Sequence, residues 1–427
     1  MLMNRKLLFG ERLMLGDGKT PFNGVVPVKI RGEFSEADLH HALLRLQQKH
    51  LWLNAVITYD ENNRPCFTTD QARPVKIPVK IIPREREDHW KTEAINQWLV
   101  PFKTDQEPML RMVWIKGDGI SELLMVLHHC LIDGGSILTI LTALFELIDN
   151  GDADIGQENP IKGLADIVPP EILDNRKKKI KVNLIGNIAV LALRLMPAGR
   201  KAVERKKDYL IHWKLDEEMT SQISGFCKRA EVTVNTLLCA VLLQAFKEVR
   251  KEKSHNKISC PVDLRNINQH IKKDNIFAFG SMFVVSSYPE LDFMSNLRAI
   301  HQDIKQKLKK LDPYLMLMVL EKAHPVLHKF SRFLKHSRSG NDCMFSNMGR
   351  ITMPYQYKTF EIETMYAPTA IGPLGNTTSL VTSTYRGQMD FCFVASEGFV
   401  PYAEAKAIQG RIISILEEQL QTELESV

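Results

Sequence analysis

The sequence contains no run of roughly 18 or more apolar residues, so no segment reads as a bilayer-spanning helix. It has no CxxC pair. Its seven cysteines (66, 130, 227, 239, 260, 343, 392) are an odd number at irregular spacing, which excludes a disulfide framework and a zinc ribbon. The expectation is buried thiols in a reducing compartment. Met1-Leu2-Met3-Asn4-Arg5-Lys6 turns charged too early for a signal peptide, and the expected location is cytoplasmic. HExxH and P-loop patterns are missing. Gly16-Asp17-Gly18 and Gly117-Asp118-Gly119 stop short of GxGxxG, which removes the common metallohydrolase and nucleotide sites. No metal site is expected; His324 and His328 share helical spacing but read as solvated-face residues.

Charge is the next feature. The formal balance is +6, yet residues 171–210 hold eleven Lys/Arg against four Asp/Glu, so the remainder is almost neutral. A nucleic-acid coat spreads its charge over faces and grooves. Here a single central stretch carries it, around the uncharged dodecad 182–193 and between Arg176-Lys177-Lys178-Lys179 and the clusters at Arg200 and Arg205. Such a segment reads either as an interfacial amphipathic helix or as a core-packing helix with solvated flanks.

On either side of it, helical and strand patterns alternate. Leu39, Leu43 and Leu46 follow a capping box at Ser35/Asp38, and residues 53–59 read as a strand. The prolines at 65, 74, 78 and 83 confine strands there to edges or short pieces. Leu110–Ile115 and Leu123–Leu127 flank a hairpin turn, with a helix from about Ser136. The later half repeats the alternation: strands near 209–215, 257–262, 281–287, 343–346 and 377–396, a helical stripe from Val234 to Val249, and a closing helix at 401–422. This is an α/β, α+β layered pattern. The expected division is 1–170, a basic connector 171–208 with a short apolar helix, and 209–427, because one core rarely exceeds roughly 250–300 residues.

The chemistry concentrates in Leu127-His128-His129-Cys130-Leu131-Ile132-Asp133-Gly134-Gly135. Two histidines end an apolar strand; an aspartate and two glycines then lead into a helix. An imidazole with an ordinary pKa near 6.5 suits general-base work at neutral pH, and glycines allow a sharp turn or close approach. The same residues also fit a capped strand followed by an Asp-capped helix, without any chemistry. Gly134-Gly135-Ser136 does not form a GxSxG nucleophile elbow, and Cys130, next to His129 in extended chain, should face away from it.

His128-His129-x-x-x-Asp133-Gly134 resembles the HHxxxDG motif of the condensation-domain and chloramphenicol-acetyltransferase-like superfamily. Val232–Leu238, Pro261–Arg265, Phe345–Gly349 and Ser383–Phe391 resemble further signposts of that superfamily, so the likeness runs over most of the chain. A DFGWG-like segment is not found; Asp390-Phe391-Cys392 begins similarly and stops, which leans toward the O-acyltransferase branches. The resemblance implies two chloramphenicol-acetyltransferase-like halves with an active-site tunnel between them. It also implies direct acyl transfer from a CoA or carrier thioester, with no cofactor. The catalytic residues would be His129, as general base, and Asp133, through a structural ion pair, with His128, Gly134 and Arg265 supporting. Arg265 is the expected ion-pair mate of Asp133. An oxyanion donor would come from Ser346, Asn347, Ser379 or Thr382. The implied product is an ester of an alcohol. The alternatives are amide-forming condensation on carrier-bound substrates and a catalytically silent binding module. The connector's basic charge would serve anionic CoA, an acidic carrier protein or an anionic membrane, and a monomer is expected.

Overall fold

The computed structural model describes residues 2–70, 72, 74–195, 205–263, 265, 275–277, 280–336 and 340–424. The N-terminal half contains strands β1 (Leu2–Lys6), β2 (Asn23–Gly32), β3 (Val56–Tyr59), β4 (Pro65–Asp70), β5 (Val79–Pro83), β6 (Leu110–Lys116) and β7 (Ile120–His128). Its helices are α1 (Phe9–Leu15), α2 (Glu36–Lys49), α3 (His89–Leu99) and α4 (Gly134–Asp149). The connector contributes α5 (Pro170–Leu173) and α6 (Arg176–Leu195). The C-terminal half contains β8 (Asp208–Leu215), β9 (Lys257–Asp263), β10 (Gly280–Ser286), β11 (Cys343–Arg350), β12 (Phe360–Met365), β13 (Thr369–Ala370), β14 (Ser379–Tyr385) and β15 (Gln388–Ser396). Its helices are α7 (Glu217–Arg229), α8 (Val234–Arg250), α9 (Phe293–Lys310), α10 (Pro313–Lys322), α11 (Leu327–His336) and α12 (Tyr402–Leu424).

Local chemistry sets many of the boundaries. Ser35 accepts from the Asp38 N–H while the Asp38 carboxylate accepts from the Ser35 N–H, closing the capping box that starts α2. The hairpin between β6 and β7 needs Gly117, where a Cβ would stand 2.6 Å from the Ile120 carbonyl. The strand expected from residue 53 begins only at Val56. The preceding residues form a tight helical turn, because Asn54 is tied back to Gln47 and the Trp52 indole donates to the Ile161 carbonyl. Pro65 opens β4, where the missing donor costs nothing.

Among the described residues, two six-stranded sheets and one three-stranded sheet result. The smallest has the order β1-β4-β3, and the C-terminal sheet runs β10-β9-β11-β14-β15-β8. The N-terminal sheet runs β12-β2-β7-β6-β5, with β13 also on β2. The boundary expected at residue 208 therefore divides the chain but not the sheets. β12 and β13 leave the C-terminal half and pair antiparallel with β2. β2 would otherwise be an open edge with unpaired backbone groups.

Each six-stranded sheet buries its outer face under helices. Leu123, Met125 and Leu127 of β7 meet α2 and α4, while Leu380, Phe391 and Phe393 meet α7, α8 and α12. The inner faces meet each other. Leu124 and Val126 of β7, Trp90 and Trp98 of α3, and Val381, Cys392 and Val394 of β14 and β15 form one seam cluster. All seven cysteines are buried and unbridged. Among the described residues no single helix is long and apolar enough to cross a membrane. His324 departs from the solvated position expected for it. Its Nε2 lies 2.8 Å from Glu321, and its ring packs on Phe9 at 5.7 Å, joining α1 to the C-terminal half.

Candidate active site at the seam of the two halves

β7 delivers its final residue, His128, into the seam. The His128 N–H donates to the Met109 carbonyl at 2.9 Å, and the ring sits edge-on to Phe102. Its Nδ1 accepts from the Cys130 N–H at 3.2 Å. Burial, with a smaller contribution from neighbouring His129, pushes its pKa down to about 4. A ring whose Nδ1 is already an acceptor and which stays neutral is a structural group. The folded state binds the His128 proton more weakly than the unfolded chain, so stability is present above about pH 6.5 and is lost as pH falls toward 4. His128→Asn, keeping an acceptor for Cys130, is expected to flatten the acid limb of a urea-midpoint profile in that window, by up to about 3 kcal/mol. An unchanged acid limb would contradict this role.

His129 follows outside the strand. Its N–H donates to the Phe22 carbonyl at 2.8 Å, and the Phe22 ring lies tilted against the imidazole at 4.9 Å. Phe22 is itself held by Gly372, where a Cβ would stand 3.0 Å from the phenyl edge. The His129 Nδ1 is buried without a hydrogen bond of normal geometry, while the residue as a whole is partly exposed. Burial lowers its pKa, opposed by its own carbonyl, the Asp133 carboxylate and the Ile132 carbonyl. Cys130 points the other way into the N-terminal core, its Sγ 3.7 Å from Met109 Sδ. Burial raises its thiol pKa well above the ordinary value, which removes it as a nucleophile.

Asp133 stands at the start of α4 and does two jobs. Its Oδ1 accepts from the Ser136 N–H at 3.1 Å, capping the helix. Both oxygens accept from Arg265 Nη1, at 2.9 and 2.8 Å. Arg265 Nη2 donates to Ser136 Oγ at 2.7 Å and to the Asn275 carbonyl at 3.0 Å, and its guanidinium lies 4.4 Å from the Phe277 ring centre. Five residues from both halves thus fix the turn that carries His129. The two glycines leave room for this: a Cβ at Gly135 would lie 3.0 Å from Arg265 Nη1, and one at Gly134 would lie 3.0 Å from Met348 Sδ.

The four oxyanion candidates separate by strand face. Val381 of β14 lies in the seam and Leu380 in the outer core; the parallel register places Ser346 opposite Val381 and Asn347 opposite Thr382. Ser346 and Ser379 therefore face the seam, while Asn347 and Thr382 face away. The Thr382 hydroxyl donates to the Asp390 carbonyl at 2.9 Å, and Asn347 Oδ1 accepts from the Gly349 N–H. Ser346 lies on the same face as Met348, the residue touching Gly134; Ser379 lies farther along the strand. Ser379 and Ser383 both have buried hydroxyls without a partner. A surface pocket of about 180 Å³ lined by His40, His41 and Lys76 contains none of these groups. Among the described residues, no three His, Cys, Asp or Glu side chains are gathered to hold a metal ion.

The fold is shared with known proteins. Residues 8–160 match the condensation-domain family model, a span that ends after the His129 turn and α4. The trichothecene 15-O-acetyltransferase of Fusarium sporotrichioides superposes with a TM-score of 0.72 at 13% identity, covering 97% of this chain and 94% of that one. The chain has the condensation-domain fold. Polyketide synthase associated protein 5 of Mycobacterium tuberculosis superposes with a TM-score of 0.67 at 16% identity, covering 97% of this chain and 98% of that one. By sequence, bacitracin synthase 2 of Bacillus licheniformis is 23% identical over 235 residues, which are 52% of this chain and 8% of the relative. Surfactin synthase subunit 1 of Bacillus subtilis is 22% identical over 230 residues, 53% of this chain and 6% of the relative. The chain thus spans less than a tenth of the curated relatives' length.

Within this condensation-domain fold, Phe22, Ser136, Met348, Phe277 and Ser383 stand at the seam or the turn without having been expected there. Ser136 was legible as the residue an Asp at position 133 caps; the others come from segments remote in the chain that only tertiary packing brings together. Asp390 likewise had no expected role. Its carboxylate accepts from the Ala367 N–H at 2.8 Å and lies 2.7 Å from His212 Nε2, locking the crossing strands to β15.

Proposed function

We propose that this chain moves an acyl group from a thioester to a hydroxyl acceptor by direct transfer, with His129 as general base. The observation that carries the reading is the environment of His129: Nδ1 is buried, and burial lowers the ring's pKa, which favours a neutral imidazole whose Nε2 is the nitrogen assigned to the acceptor. In this mechanism Nε2 takes the acceptor's O–H proton as its oxygen attacks the thioester carbonyl. The tetrahedral oxyanion then collapses, the C–S bond breaks, and the proton passes to the leaving thiolate. Ser346 is the favoured donor to the oxyanion, since it faces the seam near the turn. Asp133 and Arg265 position His129 and do not touch the reacting atoms. Neither CoA nor a carrier protein is favoured as thiol donor by any described residue.

The amide-forming alternative has its own support, because solved structures of the same fold include a nonribosomal peptide synthetase. Purified protein would be incubated with acyl-CoA or an acylated carrier, and with alcohols or amines, while free thiol is followed. Acceptor-dependent thiol release with alcohols supports the proposal. Release only with amines and a loaded carrier supports the alternative, and no release with any pair leaves the silent binding module.

The pH profile provides a second check. A lowered His129 pKa keeps the base unprotonated further into acid, so the acid limb of kcat/KM is expected below pH 6.5, the ordinary imidazole value. A limb at or above that value would contradict the assigned base.

A further inference from the structure

Helix α6 buries one side and leaves the opposite side bare. Val182, Gly186, Val190 and Leu193 form the inner side. Val182 is 3% exposed in a cluster with Leu317, Met318 and Phe277, and a Cβ on Gly186 would stand 3.0 Å from Lys322 Cβ on α10. This is the core-packing helix that the sequence allowed. The outer side is also apolar: Ile180, Leu184, Ile188, Leu191 and Leu195 are 60, 60, 59, 57 and 74% exposed. Their spacing of four, four, three and four residues keeps them in one stripe about 22 Å long. A helix lying on a protein that meets only water carries charge on that side. A contiguous aliphatic ridge of this kind marks a contact surface.

Its surroundings are cationic. α6 carries Arg176, Lys177, Lys178, Lys179, Lys181 and Arg194 and no carboxylate. Asp174, just before it, is paired with Lys179 at 3.2 Å. The exposed side of α11 adds His328, Lys329, Arg332 and Lys335, again with no carboxylate. Lys329 Nζ donates to the Arg194 carbonyl at 2.9 Å, which sets this basic face beside the last turn of α6. Arg200 and Lys201 lie outside the described residues.

These charges select the occupant. A second copy would bring two cationic helices together with no carboxylate between them. A protein partner is anchored by aromatic and polar groups in pockets, and this ridge offers neither. Aliphatic residues on one side with lysines and arginines beside them are the arrangement of a helix lying in a membrane interface. We propose that α6 docks this protein on an anionic lipid surface, with Ile180, Leu184, Ile188, Leu191 and Leu195 among the acyl chains and the flanking cations at the phosphates. The proposal is independent of the acyl-transfer reading. It also places the surface near the site: Val182 shares a cluster with Phe277, which packs on Arg265, which holds Asp133.

The test is flotation of the full chain with neutral phosphatidylcholine vesicles and with vesicles containing about three-tenths phosphatidylserine. The wild type is expected to float with the anionic vesicles and to lose that binding in high salt. The triple variant Leu184→Gln, Ile188→Gln, Leu191→Gln and the triple variant Arg176→Gln, Lys177→Gln, Lys181→Gln should each partition at least about tenfold less. Unchanged circular dichroism shows that both remain folded. Ile188→Trp should shift its fluorescence to the blue on adding anionic vesicles. Wild-type protein left at the bottom of the gradient overturns the proposal, as does capture by an acidic carrier protein with no flotation. Variants that float as well as wild type overturn it too.

Discussion

His129→Ala is expected to lower acceptor-dependent thiol release by about 10³-fold while leaving the urea unfolding midpoint nearly unchanged. The activity loss follows from removing the nitrogen that takes the acceptor proton. The mild stability effect follows from the surroundings. The main-chain bond from residue 129 to the Phe22 carbonyl survives the substitution, and the ring gives up no hydrogen bond of normal geometry. Phe22 loses a face to pack on, a cost of about 1 kcal/mol. Loss should appear in kcat more than in KM, because proton removal strengthens only in the transition state. Near-wild-type turnover in the alanine variant would remove His129 from the mechanism.

Arg265→Ala is expected to destabilise the fold by about 3–5 kcal/mol, the cost of breaking a buried ion pair from one side. The arginine is 8% exposed and joins Asp133, Ser136 and the Asn275 carbonyl. Removing it strands a carboxylate beside an apolar ring at the turn that carries His129. Arg265→Lys should recover only part of this, because one ammonium cannot span Asp133 and Ser136 as a forked guanidinium does. Asp133→Asn keeps the cap on Ser136 and weakens only the charge pair. A double-mutant cycle between Asp133→Asn and Arg265→Ala in urea should give a coupling of about 1–3 kcal/mol. Additive single effects would show that the two residues are not energetically joined.

Much of this was readable in the sequence. Capping boxes, turn glycines and periodicities of 2 and 3.6 are local, so α2, α8, α12 and the β6–β7 hairpin fall close to where the residues placed them. The His129 turn was legible for the same reason: strand, motif and capped helix are contiguous in the chain. Membership of the seam was not. Whether a strand pairs with its neighbour or crosses to the other sheet depends on an edge hundreds of residues away. β12 and β13 crossed because β2 offered one. The choice among Ser346, Asn347, Ser379 and Thr382 was undecided in the sequence for a related reason. All four can hydrogen-bond, and only the register of β11 on β14 turns two of them toward the seam.

The connector divides in the same way. From composition alone, the sequence determined that the excess charge sits between the halves around an apolar dodecad, and that this run is too short to span a bilayer. It left a core helix and an interfacial helix as alternatives. The tertiary structure decided that one helix has both characters, because α10 occupies only one side of it. Periodicity can identify apolar faces, but only the packed neighbour determines which of them remains in water.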